Sequence, residues 1–196
     1  MTRTSTDAKA PTARERLLSA ANELFYAEGV QSVGIDRIIE RAGVAKASLY
    51  NTFGGKDQLI RAYLDSRHTR LAERLLRAVD GADTPRGRLL AVFDAQAELF
   101  TDQNYRGCAF MAASAEAKPG STIEEASDVS RAWVRALFTD LARDAGAPDP
   151  EALARRLHLL YDGSVASARM DRDPSVGAVA REAAAVLIDA ALPAEA

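Results

Sequence analysis

At 196 residues, with 47% hydrophobic and 27% charged side chains, the chain can bury a sizeable core and is too apolar to be disordered. It has no apolar run of the roughly 18 residues that a membrane-spanning helix needs, and its opening MTRTSTDAKAPTA lacks the apolar stretch of a signal peptide. One cysteine, Cys108, and two histidines exclude an internal disulfide and a cysteine/histidine-rich zinc site, so a cytoplasmic protein without a metal is expected.

Helix formers (Ala, Leu, Arg, Glu) dominate, and no period-2 alternation is sustained, which predicts an all-α fold of about nine helices. The first runs near 12–28, opened by a Thr12/Glu15 capping box and directing Leu17, Leu18, Ala21, Leu24 and Phe25 inward. Two short helices occupy 35–53. A long fourth helix, about 56–80, carries Ile60, Tyr63, Leu64, Leu71 and Leu75. A fifth covers about 85–101, with Thr84-Pro85 as its start, and a short sixth lies near 107–117. The seventh, about 122–145, follows a Ser121/Glu124 capping box and places Val129, Trp133, Leu137 and Leu141 on one stripe. Asp149-Pro150 starts the eighth, to about 170. Asp173-Pro174 starts the ninth, to about 191, with Val176, Val179, Ala183, Leu187 and Ala190. The ends, about 1–10 and 192–196, are expected to be disordered.

The segment IDRIIERAGVAKASLYNTF carries the most information. Ile35, Ile38, Ile39 and Ala42 share a helical face, Gly43 stops the pattern where a sharp turn needs positive φ, and Leu49 and Phe53 mark the buried side of the next helix. Its other side offers Lys46, Ala47, Ser48, Tyr50, Asn51 and Thr52, side chains that suit base edges and phosphates in a major groove. This reads as a helix-turn-helix whose second helix meets DNA. Charge distribution agrees: residues 1–56 carry eight basic and six acidic side chains, net +2, and the rest carries −5. A DNA-binding domain is therefore expected over 1–56 and a second domain over 57–196.

The run from ELFYAEGV through IDRIIERAGVAKASLYNTFGGKDQLI, followed by an all-helical remainder, resembles the TetR family of bacterial regulators. The residues carrying the likeness are Phe25, Gly29, Ile38, Ala42, Gly43, Val44, Leu49, Tyr50, Phe53 and Lys56. Ala45 stands where the family usually has Ser, Gly34 where Thr or Ser is usual, Ala47 where Gly is common, and Thr52 where His or Tyr is common. The resemblance implies phosphate contacts from Tyr50 and Lys56. Lys46 for guanine, Asn51 for adenine, Ser48 for either and Ala47 for a thymine methyl form the expected base-reading set, with Thr52 a lesser member. Arg37 and Arg41 either reach phosphates or form a solvated face.

One short helix buries too little surface for useful specificity, so a homodimer on a palindromic double-stranded operator is expected. The resemblance implies pairing through the last two helices. Ala183, Ala184, Ala185, Ala190 and Ala191 would permit close approach, and Val179, Val186 and Leu187 would supply apolar area. It also implies a small-molecule effector pocket in the middle of the chain. Candidates are Phe93, Gln96, Phe100, Cys108, Phe110, Met111, Trp133, Leu137, His158 and Tyr161, large apolar groups with a few polar ones between. Plain core is the competing reading for each, and a buried, inert thiol is the reading for Cys108.

The expected function is thus a ligand-responsive repressor. The alternatives are a DNA-binding regulator without a ligand, an activator, or a helical enzyme. The last is disfavoured because no Gly-rich phosphate loop, nucleophile elbow or paired histidine–carboxylate spacing occurs in the sequence. No cofactor is expected, and His68 and His158 are too isolated for a metal.

Overall fold

In the computed structural model, which describes residues 10–193, the helices are α1 (Ala13–Glu28), α2 (Ile35–Ala42), α3 (Lys46–Phe53), α4 (Lys56–Asp80), α5 (Pro85–Phe100), α6 (Ala109–Ala115), α7 (Thr122–Asp144), α8 (Pro150–Asp171) and α9 (Val176–Ala191). No strand occurs among the described residues. The expected disorder of the two ends falls almost wholly outside them.

Local signals account for most of the boundaries. Thr12 and Glu15 close a reciprocal capping box, with the Glu15 amide donating to Thr12 Oγ1 at 3.2 Å and the Thr12 amide donating to Glu15 Oε2 at 2.7 Å. Thr84 and Asp149 cap α5 and α8 ahead of their prolines. At α7 the box is only half formed. Ser121 Oγ accepts from the Glu124 amide, but the Glu124 carboxylate takes the amide of Gly120 at 2.6 Å. Asp173-Pro174 does not open α9 as expected. Asp173 accepts from the Ser175 amide at 2.8 Å, making a turn that precedes the helix.

The chain divides into two compact units between Tyr63 and Leu64, whereas the sequence reading set its division at 56/57. In the first unit, Leu17, Ala21, Leu24 and Phe25 of α1 share a core with Ile38, Leu49 and Phe53. Leu59, Ile60 and Tyr63, from the start of α4, are buried there as well, with the Phe25 and Tyr63 rings edge to face at 5.5 Å. Leu18 and Ile39 are only partly buried.

In the second unit, α7 packs on α8, and α9 packs on both α5 and α8. The core runs from Leu75 and Val79 through Leu89, Phe93, Phe138, Leu153, Leu157 and Tyr161 to Ala184 and Ile188. Two expected stripes are corrected here. The buried line of α7 is Ile123, Ala126, Ser127, Ser130, Val134, Phe138 and Leu141, leaving Val129 outside. That of α9 is Gly177, Ala180, Ala184 and Ile188, leaving Val179 and Val186 in solvent. Both helices carry two apolar stripes, and the sequence pattern alone does not say which one meets the chain's own core.

Candidate nucleic-acid interface

α2 and α3 are joined by the shortest turn in the molecule that changes direction with a left-handed residue, Gly43 at φ 60°, ψ 46°. The Gly43 amide donates to the Glu40 carbonyl at 3.1 Å and the Val44 amide to that of Ile39 at 3.3 Å, so the end of α2 is satisfied within the turn. Ala45 and Gly34 sit at the N-caps of α3 and α2 and offer no side-chain cap, as their residue types dictate.

α1 braces this pair. Arg41 forks onto Glu23 (2.8 and 3.0 Å), Arg37 pairs with Glu28, and Arg16 donates to the Gly43 carbonyl at 3.2 Å. The Arg14 guanidinium lies over the Phe53 ring, 5.4 Å from its centroid. Arg37 and Arg41 are therefore tied to the helix behind them. The sequence reading missed Arg14 and Arg16, because an arginine's contact across two helices leaves no periodic trace.

The outward side of α3 is what this frame presents. Leu49 and Phe53 face the core, while Lys46, Ala47, Tyr50, Asn51 and Thr52 are exposed and Ser48 is partly so. Lys46 Nζ bonds Asp36 Oδ1 at 2.9 Å, and that carboxylate raises the ammonium above its ordinary pKa, so it is a full cation at neutral pH. Lys56 stands in the first turn of α4 and donates to the Gln31 carbonyl at 3.2 Å. A short polar helix face, one exposed phenol and two cations held in register form a surface suited to a groove and its phosphates.

In the second unit the candidate pocket residues fall into separate groups. The rings of Phe93, Phe138 and Tyr161 form a triangle with centroid separations of 5.8, 5.9 and 6.3 Å. Trp133 and Leu137 pack at the edge of that core, and the Trp133 ring stands perpendicular to His68 at 5.4 Å. Gln96 is buried and donates to the Tyr161 carbonyl at 3.1 Å, while Ser164 donates to Gln96 Oε1 at 2.7 Å. Both ends of that amide are thus used within the protein. His158 is buried 3.7 Å from Asp162, which also accepts from Arg131 at 2.8 Å.

Phe100 and Cys108 belong to a different small cluster with Val165 and Ala168. Burial pushes the Cys108 thiol pKa up, which keeps it protonated and unreactive at neutral pH. Phe110 points inward and Met111 outward. Among the described residues, no group of three or more His, Cys, Asp or Glu side chains is placed to hold a metal, and no helix is long and apolar enough to cross a membrane.

A helix-turn-helix on a three-helix frame, ahead of a larger helical unit, defines a DNA-binding transcriptional regulator. Residues 17–63 match the family described as bacterial regulatory proteins, tetR family. The fold superposes on SCO4454, a TetR-family transcriptional regulator from Streptomyces coelicolor, with a TM-score of 0.88, 34% identity, and coverage of 92% of this chain and 96% of that one. The chain belongs to the TetR family of transcriptional regulators.

Two curated relatives differ in extent. The HTH-type regulator SrpR of Pseudomonas putida is 40% identical over 62 residues, which is 32% of this chain and 29% of SrpR. The HTH-type activator FasR of Mycolicibacterium smegmatis is 28% identical over 153 residues, 78% of this chain and 67% of FasR. The match to SrpR thus spans less than a third of that relative's length.

Proposed function

We propose that the protein is a cytoplasmic, homodimeric repressor that binds a palindromic operator and releases it when a small molecule occupies the second unit. The outward face of α3 carries this reading. Lys46, Ala47, Ser48 and Asn51 meet base edges, with Thr52 at the margin, while Tyr50 and Lys56 hold phosphates on either side. The ion pairs from α1 keep that face rigid, so little ordering cost falls on binding.

Exposed apolar side chains support the dimer. Leu159 and Met170 on α8, and Val179 and Val186 on α9, are 76, 80, 63 and 69% exposed. Residues 159, 163, 166 and 170 follow helical spacing, as do 179, 183, 186 and 190, which is the pattern of two helices awaiting two more. Ala184 is excluded from that face because it is buried in its own chain's core. α4 belongs to both units, running unbroken from Lys56 to Asp80, and is the proposed route by which occupancy of the second unit alters the first.

The test is fluorescence anisotropy on DNA from upstream of the protein's own coding region, against a scrambled duplex at the same salt. Tight binding to the first alone, lost in Tyr50→Ala and in Lys56→Ala, is expected. Equal binding to both duplexes, unchanged in the variants, would overturn the reading. The likeness to the activator FasR favours activation as a second reading. A promoter reporter that rises when the protein is removed indicates repression, and one that falls indicates activation.

A further inference from the structure

Arg74 lies on the part of α4 that belongs to the second unit, with its Nε wholly buried and facing no hydrogen-bond acceptor among the described residues. Its guanidinium bonds the Tyr161 side chain. Arginine has no acceptor to offer, so the phenol oxygen must be accepting, and its own O–H is left to donate elsewhere. Burial pushes the Tyr161 pKa up, which keeps that proton in place. The nearby polar groups do not fill the gap. Gln96 is spent on the Tyr161 carbonyl and Ser164, and Asp162 is spent on Arg131. A buried cationic N–H without a partner carries a desolvation penalty that a structural residue is not normally left with.

We propose that Arg74 is the anion-reading anchor of the effector site, with Tyr161 as second donor, and that the effector is a carboxylate on an apolar body. The inference rests on the ligand-responsive reading above and names the class of its ligand. A guanidinium edge presents two N–H groups in a plane that matches a carboxylate. The Phe93, Phe138 and Tyr161 rings beside it supply the apolar wall. A cationic effector is disfavoured, since Arg131 joins Arg74 in surrounding the site with positive charge and the nearest carboxylate is already neutralised.

Two matched probe pairs test this by calorimetry on the full chain: naphthalene-2-carboxylate against its carboxamide, and decanoate against decanamide. In at least one pair the acid should bind about ten-fold or more tightly than the amide. Arg74→Gln should erase the difference, with its circular dichroism spectrum unchanged. Equal binding of acid and amide, or a preference that survives Arg74→Gln, overturns the proposal, as does failure of both acids to bind at millimolar concentration. A second variant needs no ligand. If Arg74 is kept for binding, Arg74→Met combined with Tyr161→Phe removes the orphan and its neighbour and should raise Tm by about 2–4 °C. A fall in Tm would mark Arg74 as structural and overturn the assignment. Anisotropy on operator DNA separates the two readings. A neutral probe that alone binds and displaces DNA leaves ligand response standing and removes the carboxylate. An acid that binds through Arg74 without displacing DNA supports this site and removes the release step.

Discussion

On the free protein the Lys46 ammonium is held by Asp36, with both side chains largely in water. Exposed pairs of this kind contribute little to folding, so Asp36→Asn should leave Tm unchanged. Its effect belongs to DNA binding. Asp36 places a negative charge beside a surface that must approach phosphates and occupies one of the groups expected to read a base. Removing it should tighten binding to operator and scrambled duplex alike, by about two- to ten-fold in anisotropy titrations. No change on either duplex would mean that Lys46 is not at the interface. His158 behaves differently because it is buried. Desolvation, aided by Arg131 and Arg135, holds it below its ordinary 6.5 against the pull of Asp162. The unfolded chain therefore takes up a proton near that value while the folded chain resists it. The contribution to stability is whole above about 6.5 and is lost as pH falls toward the folded pKa. Between about pH 8 and about pH 5.5, the wild type should lose Tm relative to His158→Gln, and parallel curves would contradict this.

At the scale of the element, the approach of α9 to α5 depends on one missing side chain. A Cβ on Gly177 would lie 2.5 Å from Ala97 Cβ and 2.7 Å from Ala97 Cα, atoms that cannot swing aside. Gly177→Ala should cost about 1–3 kcal/mol in urea unfolding, whereas Gly163→Ala, which meets nothing, should be neutral or stabilising. This glycine left no mark in the sequence reading, which started α9 at Asp173-Pro174 and chose the wrong stripe. The helix-turn-helix was far more legible. Gly43, the apolar spacing of Ile38, Ala42, Leu49 and Phe53, and the exposed remainder of α3 are all set within about twenty residues. Each position there answers to local geometry. The second unit is held by contacts between distant segments, such as Gln96 with Tyr161 and Phe93 with Phe138. Patterning identifies which residues are apolar there, but not which meet each other. Arg74 was missed for a related reason, since an arginine on a charged helix reads as solvated until the neighbouring helices are placed around it.

For the molecule as a whole, two apolar stripes on α8 and α9 are exposed on a chain whose other large apolar side chains are mostly buried. A monomer gains nothing from four aliphatic side chains in water at helical spacing. A pair of copies would bury them, and two reading helices would then share the cost of finding one operator. Val186 is the informative position, because it is exposed and outside the buried line of α9. In a monomer, Val186→Glu meets only water and should change Tm by little. Across a paired interface the same carboxylate would be buried without a partner, at a cost of several kcal/mol. The expected result is a dimer for the wild type and a monomer for Val186→Glu in sedimentation velocity, with a helical spectrum retained. Operator affinity should fall further in Val186→Glu than affinity for scrambled DNA, because specific recognition needs both half-sites and non-specific contact does not. A variant that remains dimeric would place the interface elsewhere on the second unit, and would leave these two stripes without a purpose that the single chain supplies.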